Sequence, residues 1–335
     1  MPTIALSQWV RQPSGTTDRL RAVSAVSSTV VWASGSHGTI LRSTDAGTHW
    51  ASVGIPGTDS LDFRDVDAMS ASVAYVLSIG DGDKSRIYKT TNGGISWDLS
   101  FINLDQRGFF DAMAFWNETS GVAVGDEVDG RITIIRTSDG GSSWHQVAAA
   151  NLPPALPGEG AFAASGTCVA VSGTSHAWVG TGVNCARVYR STDRGMTWNV
   201  SSTPIVSSST STGVFSVFFL DSNRGVAVGG DYRKEADSDR SSAISTDGGK
   251  TWSLSSSLPS GFRSCVVAVP ETSPSALIAV GPKGSDYSID HGKTWSPIDT
   301  TGFHAVSFAG HRHAGWAVGE QGMISRFEGT IPLVK

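Results

Sequence analysis

Apolar residues in this chain come in short bursts, each closed off by Gly, Asp or Ser. Runs such as Gly121-Val122-Ala123-Val124-Gly125, Gly225-Val226-Ala227-Val228-Gly229 and Gly315-Trp316-Ala317-Val318-Gly319 recur. Such β-branched bursts between turn formers predict short strands. Before each run comes a strand led by an aromatic residue or Leu, at 20–23, 63–66, 110–113, 214–217, 262–265 and 303–306. After it comes a short β-rich segment, as at 39–42, 86–89 and 187–190. No apolar run is long enough to span a membrane as a helix.

Each unit then carries an eight-residue signature, S/T-x-D-x-G-x-T/S-W, known as the Asp box. Six copies end at Trp50, Trp97, Trp144, Trp198, Trp252 and Trp295, with intervals of 47, 47, 54, 54 and 43 residues. A repeat of this size implies stacked supersecondary units. The acidic or amide positions Asp45, Asn92, Asp139, Asp193, Asp247 and Asp290 are structural in this reading. Their side chains accept backbone N–H bonds one or two residues on and close a hairpin turn. The Gly two positions later supplies a positive φ. The Trp opens the next strand with a large ring and one donor.

Four strands per unit, with the box between the third and fourth, describe a β-propeller blade. Six boxes give six blades. After the sixth box the chain makes three more strands, at 303–308, 316–318 and 323–327, and no fourth. The segment Ser7-Gln8-Trp9-Val10-Arg11 resembles the Trp-led fourth strand of the other units. The expectation is an all-β, seven-bladed propeller over residues 1–335 as one domain. Residues 302–329 plus the N-terminal strand 4–11 form the last blade, which leaves no open sheet edge.

Composition narrows the function. The net charge is −5, which argues against general nucleic-acid binding. Lys is rare, 7 against 18 Arg, and Ser, Thr and Trp are common. That bias suggests a periplasmic or secreted protein, although the start Met-Pro-Thr-Ile-Ala-Leu is not a signal peptide. Of three cysteines, Cys168 and Cys185 fall in one blade and are close enough in sequence to pair in an oxidising compartment. Cys265 reads as a small core residue. No Cys/His pattern points to a metal. The acidic loops at 81–83 and 126–129 are the one candidate for calcium, and neither matches a complete ion-binding loop. No cofactor is expected.

Asp boxes throughout the chain, each preceded by Val-Ala-Val-Gly-type strands, resemble the Ycf48/HCF136-like seven-bladed propellers, along essentially the whole length. That family is known for assembling photosystem II and has many bacterial relatives outside photosynthesis. The resemblance implies a bacterial, non-photosynthetic assembly factor or binding scaffold. Sialidases and GH74 xyloglucanases also carry Asp boxes, so the motif speaks for fold more than for activity.

Function must then come from a site. In a propeller the innermost strands line the channel, and the loops joining blades, with those between second and third strands, surround its upper mouth. The residue after each leading aromatic or Leu falls at one level: Arg21, Arg64, Asp111, Ala163, Phe215, Arg263 and His304. Three arginines facing one pore favour an anionic group. Asp65, Asp111 and Glu159 would balance part of that charge, and mutual pairing of these groups is the competing structural reading. The long loops 145–162 and 229–241 also lie near the mouth, and Tyr232, Arg233 and Lys234 are their leading contacts. The resulting expectation is a non-catalytic, monomeric binding module for a protein, peptide or anionic small ligand. The alternative is a glycan-active hydrolase, sialidase-like or another Asp-box glycosidase, using the same mouth. The Arg-Ile-Pro segment typical of sialidases is absent.

Overall fold

The computed structural model describes residues 8–273, 275–311 and 313–329. Seven four-stranded antiparallel sheets make up these residues. In chain order the inner strands are Leu20–Ala25, Asp62–Ala68, Phe110–Phe115, Val169–Ser172, Thr212–Phe219, Cys265–Val269 and Ala305–Phe308. They define blades 1 to 7. Neighbouring inner strands touch all the way round, and blade 7 touches blade 1. The chain is a seven-bladed β-propeller.

Blades stack face to face, so burial falls from the second strand outward. Val31–Gly35 in blade 1 is buried at every position, while the outer strand Ala51–Ser52 is exposed. Buried on both faces, the second strands are continuous apolar runs rather than alternating ones. Large rings fill the seams: Trp32, Trp178 and Trp316 are fully buried. Trp178 lies flat on Phe219 of the next blade at 3.6 Å.

Each box closes its turn as a small hydrogen-bonded cage. In blade 1 the Ser43 hydroxyl donates to Asp45 Oδ1 at 2.8 Å and accepts from Gly47 N at 2.9 Å. Asp45 Oδ1 also accepts from His49 N at 2.9 Å. The carboxylate thus reaches four residues on, further than the one or two expected of an isolated Asx turn. Blade 5 repeats the arrangement at Ser245, Asp247 and Thr251. Three of the box tryptophans then tie their blade to the one before. Trp97 donates to Val53 O at 2.9 Å, Trp144 to Ser100 Oγ at 2.9 Å and Trp295 to Ser242 Oγ at 3.1 Å.

The ring closes as the sequence suggests. Trp9–Gln12 pairs antiparallel with Phe327–Ile324. The Trp9 ring packs on Phe303 and Phe327, each at 5.0 Å. Gln12 then clasps blade 7 to blade 1, accepting from Trp316 Nε1 at 3.1 Å and donating to Ala46 O at 2.8 Å. Residues 4–7 of the expected closing strand lie outside the described residues.

A second belt of bonds joins the inner strands. Ser24 Oγ accepts from Ala68 N, Ser216 Oγ from Val266 N and Ser307 Oγ from Ala25 N. Between blades 2 and 3 the same job falls to carboxylates: Asp65 accepts from Met113 N at 2.6 Å and Asp67 from Phe115 N at 2.9 Å. Asp65 is therefore a strut between blades and not a mouth residue. Cys168, Cys185 and Cys265 are all buried free thiols, so the pairing of Cys168 with Cys185 does not form.

Candidate functional site: the upper mouth of the channel

The inner strands of blades 1, 2, 3 and 5 share a register shift near their upper ends, at Leu20/Ala22, Phe63/Asp65, Phe110/Ala112 and Val214/Ser216. A bulge leaves one residue unpaired and re-aims its side chain. The skipped residues are Arg21, Arg64, Asp111 and Phe215. In blades 1, 3 and 5 room for the bulge comes from the glycine opposite it near the end of the second strand, a place that Ser78 takes in blade 2. A Cβ on Gly125 would sit 2.1 Å from Phe109 O, and one on Gly229 would sit 2.0 Å from Gly213 O. The recurrent Val-Ala-Val-Gly ending thus serves the mouth, because it lets the inner strand buckle there.

Arg21, Arg64 and Phe215 consequently border a cavity of about 420 Å³, together with Ala163 and His304. Its charges differ sharply in how they are satisfied. Arg64 is spoken for: its Nε donates to Asp62 at 2.8 Å and its Nη1 to Ala163 O at 3.2 Å. Arg19, which the sequence pattern did not single out, pairs with Glu320 at 2.9 Å. Glu320 Oε1 also accepts from His304 Nε2 at 2.8 Å. Burial and the Arg21 charge push His304 down to about 4, so its ring is neutral at pH 7. Glu235, the other carboxylate on the cavity, pairs with Lys283 at 3.5 Å.

Arg21 is different. Its Nε is enclosed and has no hydrogen-bond partner, and among the described residues it makes no ion pair. Burial, then the nearby Arg64 charge, lower its pKa to about 9. That still leaves it cationic at neutral pH. A partly buried cation whose Nε has no partner is a place where an anion gains more than at a paired arginine.

The remaining expected residues go elsewhere. Arg263 is fully buried and turns away from the pore. Its Nε donates to Asp286 at 2.6 Å, Nη1 to Phe262 O at 2.8 Å and Nη2 to Ser260 Oγ at 2.9 Å. Asp286 explains the turn. It occupies the third-strand slot that holds Leu41, Tyr88, Ile135, Tyr189 and Ala243 in blades 1 to 5 and Ser325 in blade 7, so a carboxylate stands where most blades carry an apolar or aromatic side chain. Glu159 is likewise internal, bonded by Arg187, Thr181, Tyr189 and Leu156 N. Asp111 is buried beneath the 161–163 segment. Its pKa is raised well above the carboxylate range by burial and by neighbouring Asp126. Tyr232 borders the cavity, while Arg233 and Lys234 sit on its exposed outer lip. The Arg233 guanidinium lies 5.7 Å from the Tyr232 ring centroid.

Several carboxylates of the acidic loops are engaged by protein partners. Asp83 pairs with Arg86, Asp129 with Arg107, and Asp126 accepts from Ala161 N. Among the described residues no three His, Cys, Asp or Glu side chains converge on a metal position. No helix among them is long and apolar enough to cross a membrane.

A BNR/Asp-box repeat model matches residues 243–254 and 286–297, which are the boxes of blades 5 and 6. No curated protein sequence matches the chain. Among solved structures it resembles YCF48 bound to D1 peptide, with a TM-score of 0.67 at 16% identity over 98% of this chain and 99% of that one. The chain is Ycf48-like in fold. YCF48 from Cyanidioschyzon merolae agrees, with a TM-score of 0.65 at 15% identity over 95% and 98% of the two chains. An ancestral GH74 enzyme reaches 0.68 at 16% identity over 96% of this chain, which spans 46% of that longer one. At such identities the likenesses describe the fold of this Ycf48-like propeller and leave its chemistry to its own residues.

Proposed function

We propose that this protein is a binding propeller of the assembly-factor kind, which holds an anionic stretch of a protein or peptide at the upper mouth. The observation that carries this reading is Arg21, whose Nε is enclosed without a hydrogen-bond partner beside a cavity of about 420 Å³. The neighbouring cations are already paired, so an incoming carboxylate meets one unspent charge on a rigid ring. Little ordering is needed on binding, because bulges and loops are fixed by the blades. The structural likeness to a YCF48 that holds a D1 peptide supports a peptide as ligand.

The hydrolase reading is weaker on geometry. A two-carboxylate mechanism needs both groups at the cleft. Glu235 pairs there with Lys283 and Glu320 with Arg19, and Asp111, with its raised pKa, lies under backbone.

Titration of fluorescein-labelled acidic peptides with free C-termini, alongside sialosides and acidic oligosaccharides, tests the proposal. Peptides should bind wild type, more weakly as salt rises, and Arg21→Ala should weaken them by about tenfold or more. Undiminished binding by Arg21→Ala overturns the assignment of the site. Turnover of a glycan that Arg21→Ala abolishes favours the hydrolase instead.

A further inference from the structure

The cavity that holds Arg21 has a second wall of opposite character, made of Phe162, Phe215, Tyr232 and Phe262. Phe162 lies flat on Phe215, with ring centroids 3.8 Å apart and planes 5° from parallel. Phe262 meets Phe215 edge-on at 4.6 Å. Tyr232 stands edge-on to Phe162 at 6.2 Å and to Phe215 at 6.1 Å. Phe215 and Phe262 are 2% and 3% exposed, whereas Tyr232 is 42% exposed and Phe162 is partly so. Two rings are foundation and two are surface.

The backbone around Phe162 is shaped to keep it there. A Cβ on Gly182 would fall 2.1 Å from the Phe162 ring, and one on Gly213 would fall 3.2 Å from it and 2.4 Å from the Gly182 backbone. Isolated bridges join Gly160 to Gly182 and Gly182 to Gly213, so three backbone segments of blades 4 and 5 meet under one ring. The 160–164 segment is pinned from below by Asp126, through Ala161 N at 3.1 Å. It is pinned from the side by Arg64, through Ala163 O at 3.2 Å. Phe162, Phe215, Phe262 and Ala164 form a small cluster of their own, apart from the clusters that fill the blade seams.

The geometry points to a second subsite in the mouth: an aromatic platform of Phe162 and Tyr232, seated on Phe215 and Phe262, that takes the apolar side chain of a peptide whose carboxylate meets Arg21. This inference rests on the reading of the mouth as a peptide-binding site and adds the side-chain class that it selects. Charge complementarity fixes the occupant. A neutral apolar ligand would leave Arg21 desolvated and unpaired, and an acidic peptide of small residues would leave the platform facing water. Rigid aromatic anchors beside a desolvated arginine are the usual centre of a binding energy distribution.

Three fluorescein-labelled peptides of one length test the platform. They share a terminal carboxylate and carry Phe, Leu or Ser next to it. Wild type should bind the Phe and Leu peptides about tenfold or more tightly than the Ser peptide. Phe162→Ala should compress that preference to under about threefold. Tyr232→Ala should also shrink it, and this exposed ring can be removed without unsettling the foundation, which thermal unfolding checks. Arg21→Ala should weaken all three peptides in parallel and keep their ratios. If wild type binds the three peptides alike while Arg21→Ala still weakens them, the platform is wrong and the anion site stands. If none of the three binds, both readings fall.

Discussion

The lower rim and the ring beneath the upper mouth use aspartate in opposite electrostatic states. At the rim, Asp45 is held down to about 2 by the His49 backbone N–H, the His49 ring and the Ser43 hydroxyl. Asp139 is also held at about 2, by the Ser143 hydroxyl and N–H and by Thr137. Under the mouth, burial raises Asp67 to about 6 against one backbone donor, Phe115 N. Burial likewise raises Asp126 to about 6, and lifts Asp65 and Asp111 well above the usual range. The rim carboxylates have several donors each and stay wet. The inner ones have one or two donors and little water. What separates them is the number of donors weighed against desolvation, a contest decided by packing and not by residue type.

The buried ion pair in blade 6 offers the largest perturbation. Arg263 and Asp286 are 0% and 1% exposed at their side chains. Removing Asp286 leaves a buried guanidinium with only Phe262 O and Ser260 Oγ, and Asp286→Ala should lose about 3–5 kcal/mol in urea unfolding. Replacing both partners with apolar residues, as in Arg263→Met with Asp286→Leu, should recover most of that loss. A double variant no more stable than Asp286→Ala would show that the pair positions the blade in a way apolar packing cannot replace.

That pair also shows where the sequence stops being legible. The boxes, the blade count and the closing strand at Trp9 depend on residues within a few positions of one another or on a repeated template, so pattern alone finds them. The level of Arg21, Arg64 and Phe215 was also legible, because each lies at the same place in the repeated inner-strand pattern. Arg263 broke the template because of Asp286 in another strand, and that one acidic residue among mostly apolar equivalents was a visible warning. The 145–162 and 229–241 loops were rightly placed by length, but Glu159 meets Arg187 inside, and only Tyr232 of the second loop's leading residues borders the cavity. Phe162 reaches the mouth through an irregular first segment of blade 4 and through Gly182 and Gly213 from two other segments. No local pattern encodes that meeting.

The carboxylate contrast has a pH signature of middle size. Asp67 has a folded pKa near 6 against about 4 in an unfolded chain, so the folded state binds more protons across that interval. Its contribution to stability is present below about pH 4 and is lost as pH rises through about 6, roughly 2–3 kcal/mol in all. The box aspartates act in the other direction. Their contribution is present above about pH 4 and lost as pH falls toward 2. Stability should therefore peak between about pH 4 and 6 and decline toward pH 8. In Asp67→Asn, whose amide oxygen can still accept from Phe115 N, the decline should flatten. Urea midpoints for both proteins at pH 5 and pH 8 give the comparison, and an equal decline in the two would mean that Asp67 is ionised without penalty.

The smallest expected effect lies within the rim itself. The fourth box position is left-handed in every copy: Gly93, Gly140 and Gly248 have φ of 75°, 68° and 78°, while Ala46, Arg194 and His291 adopt 62°, 59° and 62°. A residue with a Cβ is strained there, and Gly is not. His291 makes one hydrogen bond, to Arg224 at 3.3 Å on the exposed surface, which contributes little. His291→Gly should therefore stabilise the protein by about 0.5–1 kcal/mol, since relief of the strain outweighs the extra freedom Gly gives the unfolded chain. Arg194 is the internal control. It has the same φ, but its Nε holds Thr174 O at 2.7 Å, and Arg136 Nε in turn holds its carbonyl. Arg194→Gly should gain less than His291→Gly, because it gives up the Thr174 bond while relieving the same strain. A reversed order would mean that the left-handed position is not what limits these turns, and that the side-chain contacts decide box stability.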